Sequence, residues 1–174
     1  YLDGKLISTK DWGMAVGSID NTTPFGISTS PCIISNANVI DYAGHIDDIA
    51  VYDRPIDSTE VLELFNISKI DSGVLACYPF NDLTANDNSG NNNHGTKYFT
   101  STAPDRFGNA NYSFSFDGDS SYVSMPDSLI NKTELSISMW FKANGSGGLM
   151  GHQNTNVFQA SNQCPILSNS TLFA

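Results

Sequence analysis

The stretch GHIDDIAVYDR, residues 44–54, decides how this chain folds. Apolar and β-branched side chains at Ile46, Ile49, Val51 and Tyr52 read as a β-strand. Two carboxylates, Asp47 and Asp48, sit side by side inside it. Successive strand residues point to opposite faces, which predicts Asp47 on the face of Ile49 and Val51, and Asp48 on the face of Ala50 and Tyr52. One acid is therefore expected against the core, where an unpartnered charge costs several kcal/mol. It has to be protonated, hydrogen-bonded or held by a cation.

Outward from this strand, short runs alternate with turn residues: KLIST (5–9), WGMAVGSI (12–19), CIIS (32–35), VLACYPF (74–80), YSFSF (112–116), YVSM (122–125) and LSISMWFK (135–142). Helical periodicity between them is missing, so the spacing predicts an all-β sandwich or barrel. In the last run Leu135, Ile137, Met139 and Phe141 share one face, with Ser136, Ser138 and Trp140 on the other. One short helix is predicted near 58–65, in DSTEVLELF. Asp57 or Ser58 caps it, Glu60 sits at the capping-box position, and Val61, Leu62, Leu64 and Phe65 form its buried side. The pattern resets through NISKIDSG (66–73), and NDLTANDNSGNNNHGT (81–96) is a polar loop suited to tight turns.

Composition narrows the function. The 174 residues are 40% hydrophobic and 15% charged, a globular balance. Fifteen Asp against three Glu favour turns and strand ends over helices. A net charge of -10 with only eight Lys and Arg excludes a nucleic-acid partner, whereas divalent cations and neutral polar ligands remain compatible. No apolar run reaches the roughly 18 residues that span a bilayer, so no membrane insertion is expected. The start, YLDGKLIS, has no leader-like layout, and the chain reads as part of something longer. Cys32, Cys77 and Cys164 leave three disulfide pairings open and form no CxxC pair. Six acceptor sequons, at Asn21, Asn66, Asn111, Asn131, Asn144 and Asn169, fit a secreted or cell-surface protein.

Together, YLDGKLI and GHIDDIAVYDRPIDSTEVLELF resemble the closing third of a laminin-G-like domain of the concanavalin A-like jelly-roll superfamily. VLACYPFNDLTANDNSGNNNHGT, DRFGNANYSFSFDGDSSYVSMPDS and ELSISMWFKAN resemble the opening two thirds of such a domain. The end precedes the beginning. Residues 1–68 therefore read as the C-terminal part of one domain, 69–73 as a linker and 74–174 as the N-terminal part of a second, with one permuted sandwich as the alternative. The resemblance implies a jelly-roll β-sandwich of antiparallel sheets, with neighbouring laminin-G-like domains in the same chain as partners.

It also implies a structural calcium at Asp47, between the last strand and the opening loop, with Asn81 and Asp82 of FNDL supplying oxygens. The alternative for Asp47 is a carboxylate bonded to backbone N–H groups of a turn. Asp117 and Asp119 in FDGDSSYV are a second metal or ligand candidate, against an Asx-turn reading. Trp140, Tyr122 and Trp12 are candidate sugar platforms, against plain core aromatics. Glycosidases of this superfamily set two Glu around an Asp on one strand, a pattern absent here, so no catalysis is expected within these residues. His45 and His94, each beside a glycine, are expected on surface loops. The expectation is a calcium-dependent module binding a glycan or an extracellular protein in adhesion. Its rivals are a carbohydrate-binding module beside a glycoside hydrolase outside this stretch and a structural spacer repeat.

Overall fold

The computed structural model describes residues 1–9, 25–28, 41–66, 71–130, 132, 134–145, 147–151 and 166–168. Strands dominate: β1 (Phe25–Ile27), β2 (Ala43–Tyr52), β3 (Val74–Tyr78), β4 (Thr96–Tyr98), β5 (Ser101–Ala103), β6 (Ser113–Asp117), β7 (Tyr122–Met125), β8 (Ser136–Ala143), β9 (Gly148–Gly151) and β10 (Ile166–Ser168). A single α-helix is described, α1 (Ser58–Phe65), with a 3₁₀ turn at Asp127–Ile130. One antiparallel sheet runs β10-β9-β1-β7-β4. The other is organised by β2, which carries β8 along one side. Along its other side, β2 pairs with β6 through Ala43–Ile46 and with β3 through Ile49–Tyr52, and β5 extends the sheet beyond β6. The all-β sandwich expected from the strand spacing is the fold observed.

The core lies between the sheets. Phe25, Ile27, Val123, Met125, Leu149 and Met150 come from the first; Ile46, Ile49, Val51, Ala76, Tyr78, Phe114 and Phe116 come from the second, with Ile137, Met139 and Phe141 packed against them. Each large apolar side chain removed from water contributes roughly 1.5–3 kcal/mol. Phe80 stacks on Phe114 at 4.3 Å between centroids, and Tyr78 donates its hydroxyl to the Asn93 carbonyl at 2.5 Å. The alternation expected for residues 135–141 of LSISMWFK holds. Strands before and after residues 69–73 share the second sheet. Residues 67–70 of that stretch, like WGMAVGSI and CIIS, lie outside the described residues.

Three local expectations change. KLIST forms no strand: Leu2 and Lys5 exchange backbone hydrogen bonds of 2.9 and 3.0 Å around Asp3 and Gly4, both at positive φ, as a tight hairpin turn requires. Helix α1 is capped as predicted by Asp57, whose Oδ1 accepts from Thr59 and Glu60 N–H at 2.8 and 2.9 Å, while Glu60 accepts from Asp57 N–H. Its buried side is narrower than expected, because only Val61 is buried, while Leu62 stays 49% and Phe65 39% exposed. Two turns of helix laid on a sheet cover one stripe only, so neighbouring apolar positions stay at the rim.

The third change concerns the opening strand. Asp47 pairs with Trp140 and Ala50 with Ser138, so three steps along β2 face two along β8. This is a β-bulge, with Asp48 at φ +46°. The extra residue flips the parity, so Ile46 and Ile49, three apart, both enter the core. Asp47 therefore does not share the face of Ile49 and Val51. It points to the outer face of the second sheet, beside Trp140.

Candidate functional site

Two elements cover that outer face. From one side comes α1: Phe65 stacks on Trp140 with centroids 5.8 Å apart, and Ile56 N–H reaches Ser136 Oγ at 3.1 Å. From the other comes the β5–β6 loop. Between the loop and the β2–β8 face lies a half-open cleft of about 320 Å³, lined by His45, Asp47, Pro104, Asp105, Arg106, Ser113, Trp140, Phe141 and Lys142. His45 and Lys142 are cross-strand partners, as are Asp47 and Trp140, so the β2–β8 ladder sets four of these positions.

The loop is tied together by Asp105. Asp105 Oδ1 accepts from the N–H groups of Phe107 and Asn109, both at 2.8 Å, and its Oδ2 accepts from Asn109 Nδ2. This frame holds Arg106 over the indole of Trp140 at 4.3 Å and over Phe107 at 4.5 Å. The same guanidinium donates to Asp48 Oδ2, while its Nε is buried and finds no hydrogen-bond partner among the described residues. A sugar can stack on Trp140 only by displacing Arg106 or by using the ring edge.

Asp47 is 7% exposed, and its Oδ1 accepts from Asp48 N–H at 2.9 Å. Burial pushes its carboxyl up to about 7, and the charges of Asp48 and Asp105 add to this; the Asp48 N–H and the Arg106 charge pull it down and offset the rise only in part. Near neutral pH the cleft thus presents an acid that either donates or accepts a hydrogen bond. Free positive charge at its mouth falls to Lys142, which makes no ion pair among the described residues.

The structure disperses the other candidates. Asn81 and Asp82 are exposed in the turn after β3, and Asp82 Oδ1 accepts from Thr84 N–H at 3.0 Å and Oγ1 at 2.6 Å. Asp117 Oδ1 accepts from Asp119, Ser120 and Ser121 N–H, each at 3.0 Å, and from Ser121 Oγ at 2.7 Å. That is the Asx-turn geometry, and the Ser121 hydroxyl with these N–H groups holds the Asp117 carboxyl well below the usual range. Asp119 is exposed. Tyr122 stacks on Tyr98 at 4.5 Å in the other sheet, and Trp12 lies outside the described residues. Among the described residues no three His, Cys, Asp or Glu gather as a metal site. The neighbours of Asp47 include a guanidinium and a backbone N–H, a poor match to an oxygen cage for calcium.

His45 and Arg106 are the residues that sequence reading missed. His45 is not on a loop but within β2, facing the cleft. Arg106 meets Asp48 across 58 positions of sequence, a separation no local pattern spans. His94 is exposed and accepts the Asp87 N–H on Nδ1 at 3.0 Å. Among the described residues no helix is long and apolar enough to cross a membrane. No protein-family model, no curated protein and no solved structure matches the chain.

Proposed function

We propose that this chain is a non-catalytic, laminin-G-like glycan-binding module of a secreted or cell-surface protein, with its ligand site in the cleft between β2, β8 and the β5–β6 loop. One observation carries the reading: an indole, a guanidinium and a buried carboxyl converge in a single recess of about 320 Å³. That volume is at the lower end of the roughly 300–1,000 Å³ typical of small-ligand sites, and a few convergent polar groups against aromatic walls are what a sugar ring uses. No free carboxylate pair lines it: Asp105 accepts from its own loop, Asp48 is paired with Arg106, Glu60 is committed to Arg54 beside the helix cap, and Glu63 and Glu134 are exposed. Binding therefore accounts for the cleft better than a retaining or inverting glycosidase does.

Neutral and acidic glycans on an array, followed by titration of the hits against tryptophan fluorescence, test the reading. Bound sugars are expected to change the emission of Trp140, and Trp140→Phe to abolish that change. A blank array together with an unresponsive Trp140 refutes glycan binding and leaves a spacer role.

A further inference from the structure

One side chain fastens the β5–β6 loop to the sheet it covers. Residues 105–109 form a closed knot: besides the bonds to the Asp105 carboxylate, Asp105 N–H donates to the Asn109 carbonyl and Gly108 N–H to the Asp105 carbonyl, both at 3.1 Å. The base of the loop is pinned to its own strands, where Ser113 Oγ donates to the carbonyls of Ala103 and Pro104, and Thr102 Oγ1 to Asn111 Oδ1. From residues 105–111 to β2 and β8, every hydrogen bond, ion pair and ring contact among the described residues belongs to Arg106: the pair with Asp48 and the seat over Trp140 at 4.3 Å. This fastening is weak. The ion pair is partly exposed, 20% at Arg106 and 41% at Asp48, so most of the hold comes from the guanidinium on the indole. Against it stands the buried Nε of Arg106, which finds no partner among the described residues and which water satisfies once the loop lifts. Room for the movement exists at the tip, where nothing lies within 4 Å of a Cβ placed on Gly108.

We propose that Arg106 is an intramolecular latch: it fills the place on Trp140 that a ligand's ring would take, and the cleft accepts a stacked ring only when the knot swings away and bares the indole. This rests on the cleft being the ligand site, although the latch itself is read without any ligand. Binding then carries the cost of opening, so the apparent affinity is the intrinsic one multiplied by the open fraction. Salt screens the Arg106–Asp48 pair and raises that fraction, leaving the contact with the indole to close the site alone.

The test is acrylamide quenching of Trp140 in a Trp12→Phe chain, where it is the one remaining tryptophan. If Trp12→Phe does not fold, the same variants are compared with Trp12 in place. Arg106→Ala is expected to raise the quenching constant at least about twofold, since a covered face of the ring is bared. Asp48→Asn tests the latch without removing its arm: asparagine tolerates the left-handed φ of +46° at this position, so the bulge is kept and the charge is lost. Its constant is expected to lie between those of the parent and Arg106→Ala. The parent constant is expected to rise between about 0.05 and about 0.5 M potassium chloride, and that of Asp48→Asn to stay level. Urea denaturation is run beside each variant. A purely structural pair exposes Trp140 by unfolding the chain, whereas the latch predicts a bared indole in a chain that still unfolds cooperatively. Any glycan that the parent binds on the array is expected to bind Arg106→Ala about tenfold more tightly, the factor for a site open about a tenth of the time. Equal quenching in the parent, Arg106→Ala and Asp48→Asn, or a glycan that binds Arg106→Ala more weakly, overturns the latch while the glycan reading stands. A blank array for both proteins overturns the glycan reading, and the quenching then decides the latch by itself.

Discussion

Replacing Asp47 by Asn is expected to stabilise the protein most at pH 8, less at pH 5, and not at all below pH 3.8. The carboxyl rises from an ordinary 3.8 to about 7 in the folded chain. That is about three pH units, or about 4 kcal/mol at about 1.36 kcal/mol per unit. Solvent in the half-open cleft screens part of this, so about 2 kcal/mol is the effect expected in measurement. The sign follows from proton counting. Between 3.8 and about 7 the folded state holds a proton that the unfolded state releases, so the stabilisation is full below 3.8 and is lost as pH rises through 7. Asn, with no proton to lose, removes that slope while its Oδ1 keeps the Asp48 N–H bond. Urea denaturation at pH 5, 6, 7 and 8, with and without chelator, measures the difference between the two proteins. A calcium ion on Asp47 predicts the opposite: Asn less stable at pH 8, with the gap closed by chelator. That outcome, or a slope common to both proteins, refutes the assignment of Asp47 as a buried acid.

Two other sites give sharp expectations. Asp87, 6% exposed, accepts from Cys77 N–H at 2.9 Å, Ser89 N–H at 2.8 Å and Asn93 N–H at 2.9 Å, and so ties the 81–96 loop to β3. Burial alone raises its carboxyl, but these N–H groups and the Ser89 hydroxyl together hold it below the ordinary value. Asp87→Ala is expected to cost about 3 kcal/mol in urea denaturation. Its contribution has the opposite pH sign to that of Asp47: present above 3.8 and lost as pH falls below it, so an Ala variant with an unaltered acid limb refutes the hub. Gly44, at φ +150°, leaves room for no Cβ, which would stand 2.3 Å from the Lys142 carbonyl oxygen. Gly44→Ala is expected to lose at least about 3 kcal/mol in the same assay, and a variant as stable as the parent contradicts the β2–β8 register.

How much of this was legible in the sequence depends on the range over which each feature is encoded. Alternation in LSISMWFK places Trp140 outward because a period of two is a local rule, and Asp57 with Glu60 marks the helix start because a capping box spans four residues. The loop at 81–96 reads as turns because its Asn, Asp and Gly residues supply their own hydrogen bonds. The site did not read in this way. The pairing of Arg106 with Asp48 is fixed only when β5, β6 and β2 lie side by side, and nothing within either segment announces it. Exposed Leu62 and Phe65 show a further limit, since helical periodicity tells which residues share a face but not how wide the partner surface is.

The bulge is the instructive case, because its signal is present in the sequence but breaks the period of two. Ile46 and Ile49 stand three apart, which no regular strand can place on one face. Two adjacent acids between them are short polar residues of the kind that tolerate the left-handed conformation Asp48 adopts at φ +46°. A strict period of two would turn an acid toward the core with nothing to neutralise it. With one residue inserted, the core faces Ile46 and Ile49, while the acid is aimed into a cleft whose opposite wall brings a guanidinium. Breaking the strand rule at Asp48 costs ladder hydrogen bonds, and the same break places Asp47 and Trp140 opposite each other on the outer face. A departure from local regularity that leaves the core intact and creates a polar recess is where a functional site is expected, and here the departure and the recess coincide at two residues.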